Sequence, residues 1–493
     1  MLSIAINMLD APHSGVLTAI ARNANTSPDK TALVTDGVRV TYAQLVNNIQ
    51  GAALFLQSVG VHSGDCVVLS AHKELEFVYC YLAAHLIGIV NVVVDPTAPA
   101  DRLEYICDIV KPVAIIGNLQ ADKRYRHIGF NEINLTLTGT LQRREIHEDD
   151  VADVMFTTGT LGRPKGVCLS HANLAGAVAN INGFIKNDEN DVEALGLPLS
   201  HSFGLGRLRC VLTAGGTMVL VGNFANLKVF FNVLEAERVT GFGMVPAVWQ
   251  YIKRLSGRRI ARFAEQLHYI EMGSAPLSVE DKRLLIELFP TTRLCMHYGL
   301  TEASRALFCE FHHDAENLET IGKPVSSQVE ACILDETGNL VPDGMDGELC
   351  VRGNMVMRSY LLPQDNEGAF HGCWFRTGDW GHCDGVGKYY FTGRGKELIN
   401  VGGEKVSPAT IEDAICSLGV ADCACVAIPD PNGVLGEVPK AFLQRSANQP
   451  DIEDVKSRLS QLLPPHEIPV QWEWIDRIPR TSSGKIQRLK LKQ

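Results

Sequence analysis

Thr157–Gly166 reads TTGTLGRPKG, which gathers three threonine hydroxyls, the loop glycines 159 and 162, a proline and Lys165 within ten positions. Hydroxyls donate hydrogen bonds, glycines let backbone N–H groups come close to an anion, and a lysine adds a point charge. That combination suits a polyphosphate cradle. The apolar run Asp153–Phe156 predicts a strand, so the loop falls at a strand end. A Walker loop spells G-x-x-x-x-G-K-[ST]. It does not fit here: Gly159 and Gly162 are three apart, Pro164 precedes Lys165, and Gly166 follows it. Gly395-Lys396 and Gly484-Lys485 lack the upstream glycine. Taken alone, the segment is either a phosphate cradle or a plain surface turn.

It does not stand alone. Downstream come YGLTE at Tyr298–Glu302, TGD at Thr377–Asp379, GRGKELINVGGEKVSPATIED at Gly393–Asp413, and PRTSSGKIQR at Pro479–Arg488. The order and spacing of these motifs resemble the adenylate-forming superfamily, which contains acyl-CoA synthetases, stand-alone adenylation domains and beetle luciferases. The resemblance runs from Thr41-Tyr42 to the chain end. It implies that Thr157, Thr158, Gly159, Thr160 and Lys165 hold the β- and γ-phosphates of ATP. Gly273, Ser274, Ala275, Tyr298 and Gly299 would also contact ATP or AMP, with Tyr298 flanking the adenine. Glu302 would help hold Mg²⁺, with Thr301 beside it. Asp379 would accept from the ribose hydroxyls, assisted by Arg394. Lys396 falls at the family's hinge, Gly402 and Gly403 at its thiol tunnel, and Lys485 at its catalytic lysine.

The chemistry of the residue types agrees with those roles. A carboxylate attacking the α-phosphate brings two anions together, so positive charge and a metal belong where negative charge builds. The implied reaction joins a carboxylate and ATP to give acyl-AMP and pyrophosphate. A thiol then takes the acyl group as a thioester and releases AMP. Read without the resemblance, Glu302 is an acid favoured near a helix N-terminus, Asp379 a turn residue after Gly378, Lys396 a surface lysine, and Lys485 one of several basic tail residues.

Leu161 stands where the family loop usually carries a threonine, which removes one hydroxyl. One lost hydrogen bond is worth ~0.5–1.5 kcal/mol, so ATP binding should weaken and survive. The segment LPLSHSFGLG, Leu197–Gly206, resembles the family's acid-pocket motif. It places His201, Phe203 and Gly204 at the pocket, with Val245, Met272 and His297 further along. Amino-acid activators usually carry an aspartate near here to meet the substrate ammonium, and none lies between Leu195 and Gly216. The expected substrate is therefore a carboxylic acid other than an α-amino acid. Arg207 and Arg209 follow the motif closely. Arg207 would pair with a second substrate carboxylate or lie on a helical surface. We favour the surface, so charge reversal should leave substrate preference unchanged. His312-His313 has no third ligand at usable spacing and reads as a surface pair rather than a metal site.

These residues need a large scaffold to position them, and the chain has 493 residues, room for about three domain-sized units. Hydrophobic residues are 46% and charged residues 20%, which excludes disordered, collagen-like and coiled-coil classes. The net charge of −11 argues against a nucleic-acid binder. It conceals a basic terminal segment: residues 477–493 hold six basic side chains and no acidic one. The fourteen cysteines are scattered, and Cys423 and Cys425 would point the same way along a strand with no second pair to complete a zinc site. Reduced thiols in a cytoplasmic protein are expected. Tyr79–Val94, the most apolar stretch, is too short to span a membrane and carries His85 and Asn91, so no integral membrane association is expected. The N-terminus has no basic residue before its apolar part, unlike a secretory signal.

Apolar β-branched runs alternate with helical patterns, which predicts an α/β class. Strands are expected at Cys66–Ser70, Val90–Val94, Val113–Ile116, Thr217–Val221 and Ala424–Ile428, and helices at Tyr42–Val59, Asp281–Leu288 and Ile452–Leu463. We expect a large N-terminal domain over 1–395, with two α/β sheets and a small β-barrel-like subdomain at about 320–395. A mobile α+β domain would cover 396–493. The final thiol acceptor is expected to be CoA, on the form of VGGEKVSP and the lack of a carrier domain. An acyl- or peptidyl-carrier phosphopantetheine is the runner-up, and a non-catalytic nucleotide-binding protein is a third reading.

Overall fold

The structure is a computed structural model that describes residues 15–119, 124–142, 145–157, 163–222, 224, 226–395, 397–402, 404–446, 449–480 and 486–492. Thr158, Gly159, Thr160, Leu161, Lys396, Gly403 and Lys485 lie outside the described residues, as does the N-terminal segment judged unlike a signal.

Among the described residues the strands run in chain order as β1 (Thr31–Thr35), β2 (Val38–Thr41), β3 (Cys66–Ser70), β4 (Val90–Val94), β5 (Ala114–Ile116), β6 (Arg126–Ile128), β7 (Val151–Phe156), β8 (Gly166–Ser170), β9 (Val192–Leu195), β10 (Thr217–Leu220), β11 (Gly241–Met244), β12 (Tyr269–Met272), β13 (Arg293–Tyr298), β14 (Leu307–Glu310), β15 (Val329–Leu334), β16 (Gly347–Gly353), β17 (Ser359–Tyr360), β18 (Phe370–His371), β19 (Trp374–Cys383), β20 (Tyr389–Arg394), β21 (Ile399–Val401), β22 (Glu404–Val406), β23 (Cys423–Pro429), β24 (Glu437–Gln444) and β25 (Gln471–Ile475). The helices are α1 (Gly15–Thr26), α2 (Tyr42–Ser58), α3 (Leu75–Ile87), α4 (Ala100–Val110), α5 (His171–Ile185), α6 (Ser202–Ala214), α7 (Leu227–Ala236), α8 (Pro246–Ser256), α9 (Val279–Leu288), α10 (Pro408–Ser417) and α11 (Ile452–Leu459).

They form two compact units. The first takes residues up to 157, 164–330 and 352–367, and the second takes 331–351 and 368 onward. Two sheets build the first unit, one in the order β17-β8-β7-β4-β3-β5-β6 and the other β14-β13-β12-β11-β9-β10-β1-β2. Their central strands are parallel. Such strands are covered on both faces, which is why they read as unbroken apolar runs such as CVVLS and VNVVV. Helix starts follow the local chemistry. Thr41 Oγ1 accepts from the Gln44 N–H while Gln44 Oε1 accepts from the Thr41 N–H, a closed box that starts α2. Tyr79–Val94 folds as the end of buried helix α3 followed by β4. No helix among the described residues is long and apolar enough to cross a membrane.

In the second unit β16, β18, β19 and β20 pair antiparallel. Beyond them β24 pairs antiparallel with β23 and parallel with β25, and α10 and α11 cover a small core of Ile411, Ile415, Val455 and Leu459. All fourteen cysteines lack a disulfide, and ten are buried. Cys423 and Cys425 face one core from alternate positions of β23.

Candidate active site

The register of the parallel strands lines up several of the expected pocket residues. Met244, Met272 and Met296 stand opposite one another on β11, β12 and β13. The next residues along, Val245, Gly273 and His297, therefore stand in one row at the carboxyl edge of the sheet, with His297 still paired to Phe308 of β14, and this is the edge where open α/β sheets place ligands. Gly273 is obligatory there: a Cβ would sit 2.1 Å from His297 Nε2. Ser274 follows in a left-handed conformation (φ 74°), and Ala275 continues the turn. The acid-pocket motif enters beside this row. Phe203 packs its ring edge-on to His297 with centroids 4.6 Å apart. Gly204 lets α6 start close to the chain, since a Cβ would meet the Pro198 carbonyl at 2.2 Å. Ser200 Oγ, next to His201, donates to Asp95 Oδ2 at 3.0 Å.

Tyr298 ends β13, and Gly299, Thr301 and Glu302 form the turn after it. Glu302 is buried, and the Tyr360 hydroxyl donates to its Oε1 at 2.9 Å. The same tyrosine ring lies 4.5 Å beneath the Lys165 ammonium. Lys165 Nζ also stands 4.0 Å from Asp365 Oδ1. At the base of the threonine-glycine loop, the Lys165 N–H donates to Thr157 Oγ1 at 3.2 Å and the Thr157 N–H to the Lys165 carbonyl at 3.0 Å. Thr157 and Lys165 thus pair beyond the last rungs of β7 and β8, and Lys165 and Glu302 are brought together through Tyr360. Tyr360 and Asp365 carry no spacing signal that sequence reasoning could have used.

In the second unit Asp379 and Arg394 stand directly opposite on β19 and β20, with Arg394 Nε 3.4 Å from Asp379 Oδ1. Asp379 is buried and its N–H donates to Thr377 Oγ1. Gly402 turns the β21–β22 hairpin at φ 63°.

One expectation is overturned. Arg207 is not on a helical surface: it is fully buried on α6. Its Nε donates to both Glu193 oxygens at 2.9 and 3.0 Å, and its Nη1 lies 3.4 Å from Glu271 Oε2. Its charge is answered within the protein, so it is not spare for a substrate carboxylate either. Arg209, two residues on and on the opposite face of the helix, is also buried and meets Asp153 of β7, which His85 and Tyr81 also bind. Helix α6 is therefore held to one sheet by Arg207 and to the other by Arg209. The physical reason is that buried acids on three strands demanded cations.

Glu271 is the centre of the first cluster. Burial alone would raise its pKa, but Arg305, His297 and Arg207 outweigh that and hold it well below the usual carboxylate range. Burial pushes the His297 imidazole down against the pull of Glu271, whose Oε1 lies 2.7 Å from Nδ1. Neither Glu271 nor Arg305 stood out in the motifs. The available signal was a carboxylate inside a buried strand, as in YIEM and VEAL. Of the histidine pair, His313 is exposed beside Glu310, whereas His312 is half-buried with its Nε2 facing the carbonyls of Phe289 and Thr292.

No group of three or more His, Cys, Asp or Glu among the described residues could hold a metal by itself. Glu302 is one hard oxygen donor fixed by a tyrosine. That donor set fits a magnesium ion shared between a single carboxylate and substrate phosphates.

This architecture is that of the adenylate-forming superfamily, and the chain belongs to it. Residues 20–361 match the AMP-binding enzyme family, and residues 410–485 match the AMP-binding enzyme C-terminal domain. Among curated relatives, an oxalate–CoA ligase of Arabidopsis thaliana is 30% identical over 96% of this chain and 97% of its own length. A 4-coumarate–CoA ligase of Narcissus pseudonarcissus is 29% identical over 92% and 88%. Among solved structures, the O-succinylbenzoate coenzyme A synthetase of Bacillus subtilis in complex with ATP and magnesium ion superposes with a TM-score of 0.88. It is 25% identical and covers 96% of this chain and 99% of that one.

Proposed function

We propose that this enzyme activates a carboxylic acid with ATP to acyl-AMP, releasing pyrophosphate, and then transfers the acyl group to the thiol of CoA. The observation that carries the reading is the Lys165–Tyr360–Glu302 cluster at the last rungs of β7 and β8, where a cation and a carboxylate are held together by one tyrosine. Lys165 and the threonine-glycine loop bind the β- and γ-phosphates, and Glu302 holds magnesium, which neutralises phosphate charge when bound. Tyr298, Gly299 and Gly273–Ala275 receive the adenylate. Asp379 accepts from the ribose hydroxyls, and Arg394 fixes that carboxylate. His201, Phe203, Gly204, Val245, Met272 and His297 line the acid pocket.

Lys485 stabilises the charge that builds between the acid and the α-phosphate. A unit charge about 4 Å away at an effective dielectric of ~20 contributes ~4 kcal/mol, roughly 10³ in rate. Residues 396–493 form a mobile domain pivoting at Lys396, so that Gly402 and Gly403 serve the thiol step. The fourteen cysteines without a disulfide support a reducing, cytoplasmic setting.

ATP–pyrophosphate exchange with a panel of monocarboxylic, dicarboxylic and aryl acids tests the first half-reaction. Acid-dependent exchange is expected, and Lys485→Ala should suppress it at least 100-fold while ATP still binds. ATP binding without exchange for any acid would overturn the reading. Thioester formation with CoA, compared with a phosphopantetheinylated carrier protein, tests the second half.

A further inference from the structure

Arg305 lies three residues beyond Glu302, in a left-handed conformation (φ 55°) that is unfavourable for a residue with a side chain. It is 2% exposed. Its guanidinium reaches back to the acid-pocket motif and uses every arm. Nε donates to Glu271 Oε1 at 3.1 Å. Nη1 donates to the Ser202 carbonyl at 3.1 Å and to Ser304 Oγ at 3.3 Å. Nη2 donates to the Phe203 carbonyl at 3.1 Å. The carbon of the guanidinium also stands 4.8 Å over the Phe203 ring. Two glycines make room. A Cβ at Gly206 would lie 2.6 Å from Nη1, and one at Gly299 would lie 2.4 Å from the Arg305 backbone nitrogen.

A planar fork is the one side chain that can take a carboxylate on one edge and two carbonyls on another. Its partners lie on two elements remote in sequence, the first turn of α6 and β12, and on its neighbour Ser304, just past the turn that carries Tyr298 to Glu302. Glu271, gripped from one side by Arg305, lies against His297 Nδ1 on the other. His297 in turn packs on Phe203. The ring closes on itself: Arg305 to Phe203 to His297 to Glu271 and back.

We propose that Arg305 is a positioning residue for the carboxylic acid. It sets Phe203 and His297 as one fixed wall and registers that wall to the turn bearing Glu302, while touching no substrate itself. This rests on the acid-activating function proposed above.

The test is steady-state ATP–pyrophosphate exchange with whichever panel acid the wild-type enzyme uses best, measured on Arg305→Lys, Glu271→Gln and Gly206→Ala. Arg305→Lys keeps the charge and loses the fork. Gly206→Ala leaves both partners intact and displaces the guanidinium, in a helix where alanine is otherwise welcome. We expect KM for the acid to rise at least tenfold in Arg305→Lys and three- to tenfold in Gly206→Ala. KM for ATP should stay within twofold in both. Glu271→Gln should show the same split. Thermal melts identify any variant that fails to fold, and Gly206→Ala then decides. An unchanged acid KM in Gly206→Ala, or equal rises in both KM values, would overturn the proposal as a mere packing effect. Absence of exchange by the wild-type enzyme for every acid would instead overturn the functional reading, and this proposal with it.

Discussion

Arg207 in the two-sheet unit and Arg488 in the second unit are each wedged between two carboxylates, yet they tie together different things. Arg207 joins Glu193 of β9 and Glu271 of β12 to helix α6, so all its partners sit on regular elements. Arg488 joins Glu397 to Glu412 of α10, and also donates to the Cys425 carbonyl of β23. It is a tail residue, three positions after Lys485, and a little solvent reaches it. The first cluster fixes a helix to two strands inside a large core. The second anchors the end of the chain to a small one. An antiparallel bridge of Arg480 with Ile486, and the Arg480–Asp422 ion pair, close the base of the intervening segment. Buried charge thus serves shape in one unit and tethering in the other.

The comparison can be broken most directly at Arg207. Arg207→Met leaves Glu193 without its buried cation, with Glu271 still held by Arg305 and His297, and should cost about 3–5 kcal/mol, read by urea unfolding. Hydrogen exchange in α10 and β23 should stay unchanged, and a cost below about 1 kcal/mol would remove the cluster's structural role. Next is pH. Burial, then His85, hold the His171 imidazole at about 4. The unfolded chain takes up that proton first, near pH 6.5. Stability is therefore full above about 6.5 and falls as pH drops towards 4, by roughly 3 kcal/mol in total. His171→Leu should flatten that slope in the first unit and leave the second unit's acid response alone.

Arg488→Met should cost about 1.5–3 kcal/mol, less than Arg207 because its site is partly wet. The loss of hydrogen-exchange protection should be confined to α10, β23 and the tail. Spread into β9 or β12 would mean that the two clusters are not independent. Smallest is Lys456→Ala, which removes the exposed pair with Glu453. It should change the melting free energy by less than about 0.5 kcal/mol, and a larger effect would mean that exposed charge also matters.

Strands and motifs were legible because each is local. CVVLS and VNVVV fall on β3 and β4 as expected, while the helix expected over Ile452–Leu463 stops at Leu459, four residues early. TGD and GRGK gave Asp379 and Arg394, and the structure sets them face to face. The buried arginines were not legible. A hydrophobic pattern counts arginine as surface, and what buries Arg207 is an acid fourteen residues away in sequence and another sixty-four away. Only the carboxylates inside VADVMF, VEAL and YIEM hinted at them, since an acid in a covered strand needs a cation that the sheet must bring from elsewhere. Tyr360 was invisible for the same reason: its partners Lys165 and Glu302 arrive through sheet pairing.

The thiols turn the molecule into its own chemical clock. Seven cysteines fall in each unit, and the two exposed ones, Cys373 and Cys416, are both in the second. Burial raises Cys168, Cys210 and Cys309 to about 11, so their thiolates are scarce as well as hidden, and raises the half-buried Cys66 to about 12. An alkylating reagent should mark Cys373 and Cys416 within the native lifetime, the half-buried Cys66 and Cys383 more slowly, and the ten buried ones only when their own unit opens. Mass-resolved labelling would then time the opening of each unit separately, in the unmodified enzyme, with no probe added to the sequence.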